Sequence, residues 1–305
     1  MIYMIAATLL FSFGPVLIRM GINHGVSPDQ LMVLRLAVAS PLFFIAVVAR
    51  KTVDEALPAK KDILFILLLS LAGMGGAMFC FFRAISYLGA SVTTLLGAVT
   101  PVFTVILAYL IHRKPVKRHQ VASMAFSFIG VALLIVPMVG VGGVRDILSS
   151  SMTGVLYVMA ANLFASATSL GFENYVKKKS PLVASFHVTV LMLLFFGALN
   201  GVPRTGFDAD TWWIVILLGS VTWFVPFVLF FHGIREMGAS NAVIVQNSGP
   251  MVTVFAAGLL LGEKLTYPQF AGMAVILFSV FLLKGWRQEQ ALADKVKIDV
   301  SLPKG

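Results

Sequence analysis

The sequence predicts an all-α integral membrane protein: ten transmembrane helices arranged as two inverted five-helix repeats. Three observations carry that expectation. The first is composition. Of 305 residues, 59% are hydrophobic and 12% charged, with a mean hydropathy of +0.94. Soluble domains carry about 25% charged residues, so this chain lacks the polar surface to face water on every side. The second is an internal repeat. Tyr87–Leu110 reads YLGASVTTLLGAVTPVFTVILAYL, and 149 residues later Glu236–Leu260 reads EMGASNAVIVQNSGPMVTVFAAGLL. Gly89-Ala90-Ser91 recurs as Gly238-Ala239-Ser240, Pro101 as Pro250, Thr104-Val105 as Thr253-Val254, and Gln120 as Gln269. The repeating unit is a half-protein, too long for a solenoid repeat. The third is an asymmetric distribution of Lys and Arg between alternate loops.

A helix that spans a bilayer needs about 20 apolar residues. Ten runs fit: 2–22, 30–49, 63–86, 91–111, 120–138, 153–175, 182–200, 211–232, 239–261 and 268–285. The first has no basic segment before it and no Ala-x-Ala site after it, so it reads as a helix and not as a signal peptide. Turn chemistry marks the breaks at Ser27-Pro28, Gly89, Ser180-Pro181, Val202-Pro203 and Gly238. The expected division is a first repeat over 1–138, a Gly- and Ser-rich link over 139–152, a second repeat over 153–285, and a polar tail over 286–305.

With a cytoplasmic N-terminus, 17 Lys and Arg fall on the inner side and 5 on the outer, with Arg35 inside the second span. Positive charge favours the cytoplasmic side, so both termini are expected in the cytoplasm of a cell (inner) membrane. Each half has an odd number of spans, so the fourth and its sequence twin, the ninth, run in opposite directions. Inverted repeats are the signature of secondary transporters, with the substrate near the midplane between the halves.

Polar stripes then nominate a pathway. Thr93, Gly97, Thr100 and Thr104 lie on one face of the fourth span, and Ala242, Gln246, Gly249 and Thr253 are their twins, with Asn247 alongside. Gln246 and Asn247 are costly against lipid and are expected to face inward; the threonines serve either the pathway or helix packing. Pro101 and Pro250 each remove a backbone hydrogen bond and free a carbonyl. Asn162, Ser166, Ser169 and Glu173 form a second stripe on the sixth span. Arg83, near the outer end of the third span, is a candidate for attracting a carboxylate or phosphate. Trp223 and Tyr87 are candidates for stacking on substrate. Gly73, Ala77, Cys80 and Ala84 form a row suited to close helix packing. Arg35 is expected to serve structure, snorkelling or pairing with a polar group, and His187 to be a packing residue.

Other functions find little support. The net charge of +10 lies between apolar runs, where it serves orientation better than nucleic acid. One cysteine, Cys80, can form neither an intrachain disulfide nor a metal site by itself. No Walker A loop, metal-spaced cluster or Gly-x-Ser-x-Gly elbow occurs, so neither an enzyme nor a cofactor or metal is expected. No carboxylate lies at mid-bilayer, so proton-independent or weakly coupled transport is expected, with His187 or Glu173 the groups left to carry a proton. The expected partners are a small-molecule substrate and the lipid bilayer, with the chain acting as a monomer or homodimer.

The sequence resembles the EamA type of the drug/metabolite transporter superfamily over nearly its whole length. The resemblance rests on Ala84–Ser91, reading Ala-x-x-x-x-Gly-Ala-Ser, and its counterpart Gly233–Ser240. It rests also on the proline-bearing fourth and ninth spans, and on Gly262-Glu263-Lys264-Leu265 followed by Gln269 and Gly272. Arg35-Leu36 is similar to the family's Arg-Phe element. Arg113-Lys114 departs from the pattern where the second half has Gly262-Glu263, and Phe11-Ser12-Phe13-Gly14 stands where the family usually has Trp-Gly. The resemblance implies a carrier whose cavity is lined by the first, third, fourth, sixth, eighth and ninth helices. It also implies small metabolites, amino acids or related compounds, as cargo, most often exported. A drug or cation effluxer and a non-transporting scaffold are the alternatives. The effluxer lacks support from the first helix, which has no glutamate of the kind that the superfamily's small drug pumps carry.

Overall fold

The computed structural model describes residues 1–52, 60–113, 116–139, 151–201, 206–253, 255 and 266–282. Among them the regular elements are helices, and no strand occurs. Among the described residues six helices are long and apolar enough to cross a membrane: Ile2–Asn23, Pro28–Ala49, Asp62–Gly89, Met152–Lys178, Pro181–Asn200 and Ala209–Met237. A 22-residue helix is about 33 Å long, against a hydrocarbon core of about 30 Å.

Several of these spans are interrupted, and the sequence explains where. The first consists of α1 (Ile2–Phe11) and α2 (Gly14–Asn23). Pro15 has no N–H to give to the Phe11 carbonyl, so the ladder stops and restarts with the proline in the first turn of α2. α3 (Pro28–Ala49) starts on a capping box: the Gln30 N–H donates to Ser27 Oγ at 3.3 Å, and the Ser27 N–H donates to Gln30 Oε1 at 3.4 Å. The third span joins α4 (Lys60–Leu68), a π-helical turn over Leu69–Gly75, and α5 (Gly76–Gly97), which is bent at Gly89. α6 (Thr100–His112) restarts the broken fourth span at Pro101, and α7 (Arg118–Val139) is the fifth.

The second half follows the same plan, except that its first span is unbroken. α8 (Met152–Lys178) and α9 (Pro181–Asn200) are continuous. α10 (Ala209–Gly219) passes through a π-helical turn at Ser220–Phe224 into α11 (Val225–Met237). α12 (Ala239–Gln246) follows Gly238, and a helical piece restarts over 249–253. α13 (Tyr267–Leu282) lies on the tenth predicted span. Most of the ninth span beyond 253, and the Gly262-Glu263-Lys264-Leu265 motif, lie outside the described residues, as do most of the 139–152 link and the 286–305 tail.

The repeat is visible in the backbone. Gly89 and Gly238, 149 residues apart, hold φ 76°, ψ 171° and φ 78°, ψ 157°, a region open essentially to glycine alone. The fourth and ninth spans break at the same aligned place, after Gly97 and after Gln246. The π-helical turns occupy corresponding places in the third and eighth spans. Packing partners recur with the halves exchanged. α5 packs on α8, as its counterparts α11 and α12 pack on α1. α9 packs on the first π-helical turn, as α3 does on the second, and α3 and α9 pack on each other.

Apolar area gains little by leaving lipid, so contact between these helices depends on small residues that let backbones approach. A Cβ at Gly73 would overlap the Thr168 hydroxyl; one at Gly219 would lie 2.8 Å from the Arg35 carbonyl oxygen, and one at Gly130 would lie 2.8 Å from that of Gly272. The outward faces are apolar: Leu64, Leu110, Leu194 and Phe281 are each about two-thirds exposed.

Candidate substrate cavity

The interrupted helices meet around a cavity of about 300 Å³. It is lined by α1 and α2 (Thr8, Phe11, Ser12, Gly14), by α3 through Arg35, by α5 and α6 (Met78, Phe81, Phe82, Thr94, Gly97, Thr100), and by α8 (Asn162, Ala165, Ser169). α11 with its π-helical turn (Trp223, Phe227, Phe230) and α12 with the restart after it (Gln246, Asn247, Gly249, Pro250, Thr253) complete the wall. The lining includes the helix breaks at Ser12, Gly97, Trp223 and Gly249. Such breaks are tolerated within a membrane only where neighbouring groups or a cavity satisfy the freed backbone.

Most polar side chains at the breaks do the satisfying. Pro101 cannot donate to the Gly97 carbonyl. Thr100 Oγ1 lies 2.6 Å from that oxygen and 2.8 Å from Asn162 Oδ1, so one hydroxyl proton serves two acceptors. Asn162 Nδ2 donates to the Leu96 carbonyl at 3.0 Å. Ser166 Oγ donates to the Thr100 carbonyl at 3.2 Å and receives from Thr104 Oγ1 at 2.9 Å. In the second half Thr253, twin of Thr104, donates to the Ser12 carbonyl at 2.8 Å. The tie from the fourth span to α8 is thus repeated as a tie from the ninth to the break in the first.

The residues singled out in the sequence fall into three groups. Gln246, Asn247, Asn162, Thr100, Trp223 and Pro250 line the cavity. Of these, Asn247 donates through Nδ2 to Ser127 Oγ at 2.8 Å, whereas the Gln246 side chain makes no hydrogen bond among the described residues. Trp223 donates from its indole N–H to Thr189 at 3.0 Å, and its ring is engaged by Phe227 and Arg35. Ser166 and Pro101 stand behind the wall, at the α6–α8 junction. Thr93, Arg83 and Tyr87 are not in the lining. Thr93 Oγ1 is turned back on the Gly89 carbonyl at 2.7 Å, and its neighbour Thr94 faces the cavity instead. Arg83 is ion-paired with Asp29 at 2.6 Å. Tyr87 is 54% exposed and stacks on Tyr157.

Neither remaining titratable candidate reaches the cavity. His187 Nδ1 lies 3.4 Å from the Tyr175 hydroxyl. Glu173, 3% exposed, accepts from the Ala239 N–H at 3.1 Å and from Lys177 at 3.0 Å, so its charge sits on the N-terminus of α12.

Arg35 carries more than the sequence reading gave it. It does not snorkel, and among the described residues it meets no carboxylate. Pro226 cannot donate to the Thr222 carbonyl, four residues back, and Arg35 Nη2 donates to that oxygen at 2.6 Å. The structural role expected from sequence is therefore present, and the same side chain also lines the cavity. A proline four residues after a polar residue in the eighth span was the only signal in the sequence.

Comparison with known proteins agrees with this architecture. The chain is 23% identical over 296 residues to the uncharacterized transporter YcbK of Bacillus subtilis (strain 168), covering 92% of this chain and 90% of that protein. It is 20% identical over 260 residues to an uncharacterized transporter of Archaeoglobus fulgidus, covering 85% and 89%. A solved crystal structure superposes with a TM-score of 0.77 over 95% of this chain and 97% of its own, at 14% identity, a likeness of fold alone. The sequence profile of the EamA-like transporter family matches residues 1–136 and 152–284. A multi-pass helical chain, duplicated in its breaks and matched to that profile in both halves, belongs to the EamA-like transporter family.

Proposed function

We propose that this protein is a secondary transporter of small metabolites, amino acids or related compounds, working by alternating access and most often as an exporter. The observation that carries the proposal is the cavity itself. It lies where the breaks of both halves converge, and its volume is at the lower end of the range for small-ligand sites. Ten spans in two inverted five-helix repeats account for packing partners that recur with the halves exchanged. In this reading the two halves rock about the cavity, both termini lie in the cytoplasm, and the chain works in the inner membrane as a monomer or homodimer. A cation effluxer fits less well, because among the lining residues the charged side chain is an arginine.

The test is counterflow in liposomes containing the purified protein, screened with labelled amino acids. Saturable exchange of at least one amino acid is expected, and it should persist with no pH gradient. Exchange that occurs only when a gradient is imposed would overturn the proton-independent reading. A reporter fused after Gly305 that is active only in the periplasm would overturn the topology.

A further inference from the structure

We infer that Arg35 is the anion-binding group of the cavity, and that the substrate is a compound with one carboxylate on an apolar body. This rests on the transporter reading and deepens it.

Arg35 is 6% exposed. A guanidinium has five N–H donors. One strong bond, from Nη2 to the Thr222 carbonyl at 2.6 Å, is made, with a long contact to Thr222 Oγ1 at 3.5 Å. Nε is buried without a partner among the described residues. No carboxylate is within ion-pair distance among the described residues, in contrast to Arg83 with Asp29 and Lys177 with Glu173. The guanidinium carbon lies 4.4 Å from the Trp223 ring centre. Trp223 is in turn held by Thr189 and Phe227, so the cation is fixed in place rather than free to swing. A buried charge without a counterion is strongly unfavourable. This one faces the cavity, where an anionic ligand would complete it.

The rest of the wall limits what that anion can be. One cation neutralises one negative charge, so a dianionic phosphate would keep an uncompensated charge in a low-dielectric site. A carboxylate matches the planar fork of the guanidinium. Phe11, Met78, Phe81, Phe82, Phe227 and Phe230 offer apolar surface to the remainder of the molecule. An amine is compatible only as part of a zwitterion, and the side-chain amide of Gln246, with no hydrogen bond among the described residues, offers an acceptor for it.

The experiment measures equilibrium binding of three labelled probes to the purified full chain in detergent at neutral pH. The probes are 3-phenylpropionate, phenylalanine and phenethylamine. The acid and the amino acid should bind, and the amine should bind at least about tenfold more weakly. Arg35→Gln should weaken the acid by at least about tenfold and leave the amine bound no more weakly, because the repelling charge is gone, and Arg35→Lys should weaken the acid by less. Phenethylamine binding as well as the acid, or an Arg35→Gln protein that is folded and keeps acid affinity, would overturn the inference. If Arg35→Gln does not fold, the wild-type order of acid and amine decides alone. If no carboxylate binds, the inference fails. Counterflow of neutral or cationic compounds would then leave the transporter reading standing, and no exchange of any compound would remove both.

Discussion

Gln246 and Asn247 are adjacent amides at one helix break, and their different partners predict different work for them. Asn247 is 7% exposed and holds the fully buried Ser127 hydroxyl on α7 at 2.8 Å. Asn247→Ala removes that bond and leaves Ser127 without it. Interhelical hydrogen bonds in membranes average about 0.6 kcal/mol and reach about 1.7 kcal/mol, so a stability loss within that range is expected. Gln246 has no such tie among the described residues and faces the cavity. One hydrogen bond to a substrate contributes about 0.5–1.5 kcal/mol, and 1.4 kcal/mol is tenfold in affinity. Gln246→Ala should therefore weaken substrate binding by roughly two- to twelvefold and leave stability unchanged. Cys80 is the single cysteine and is buried, so its reaction with a thiol-specific fluorophore on heating reports unfolding without added labels. Counterflow reports the Michaelis constant of the same preparations. A stable Asn247→Ala protein with impaired affinity, together with a destabilised Gln246→Ala protein of normal affinity, would refute the assignment.

Other substitutions follow from the same geometry. Asn162→Ala removes the two hydrogen bonds that tie α8 to Leu96 and Thr100 at the break in the fourth span and should cost about 1–3 kcal/mol; an unchanged melting temperature would show that the tie is unimportant. Gly89→Ala and Gly238→Ala force a residue with a Cβ into a glycine-only region and should each cost about 1–3 kcal/mol. At Gly89 nothing lies within 4 Å of the added Cβ, so that loss is conformational alone, and matched stability of Gly89→Ala and wild type would deny it. Gly130→Ala places a Cβ 2.8 Å from the Gly272 carbonyl oxygen and 2.6 Å from the Ile276 side chain, so α7 and α13 must separate; a loss of about 1–3 kcal/mol is expected. Gly197→Ala meets nothing within 4 Å in α9 and should be neutral or stabilising by up to about 1 kcal/mol, which makes it the control for the thermal assay.

The sequence determined a good deal of this protein without help. Apolar composition required a membrane. The recurrence of Gly89-Ala90-Ser91 as Gly238-Ala239-Ser240, and of Pro101 as Pro250, pointed to paired breaks, because glycine accepts that backbone and proline cannot donate. Those are local properties, fixed by the residue itself. Thr93 and Thr94 show where local reasoning ends. Both lie on the same helix, a hydroxyl tied to its own backbone leaves no trace in a periodicity, and the cavity takes the second of the two. Arg83 looked like an anion site until the fold placed Asp29, 54 residues away, against it. Arg35 looked purely structural because nothing in its own segment says what it meets. Its partner, the Thr222 carbonyl, is 187 residues distant and exists as a free acceptor only because Pro226 follows. Which polar groups satisfy one another and which remain open to a ligand depends on helix rotation and on contacts between the halves, and only the packed tertiary structure sets those.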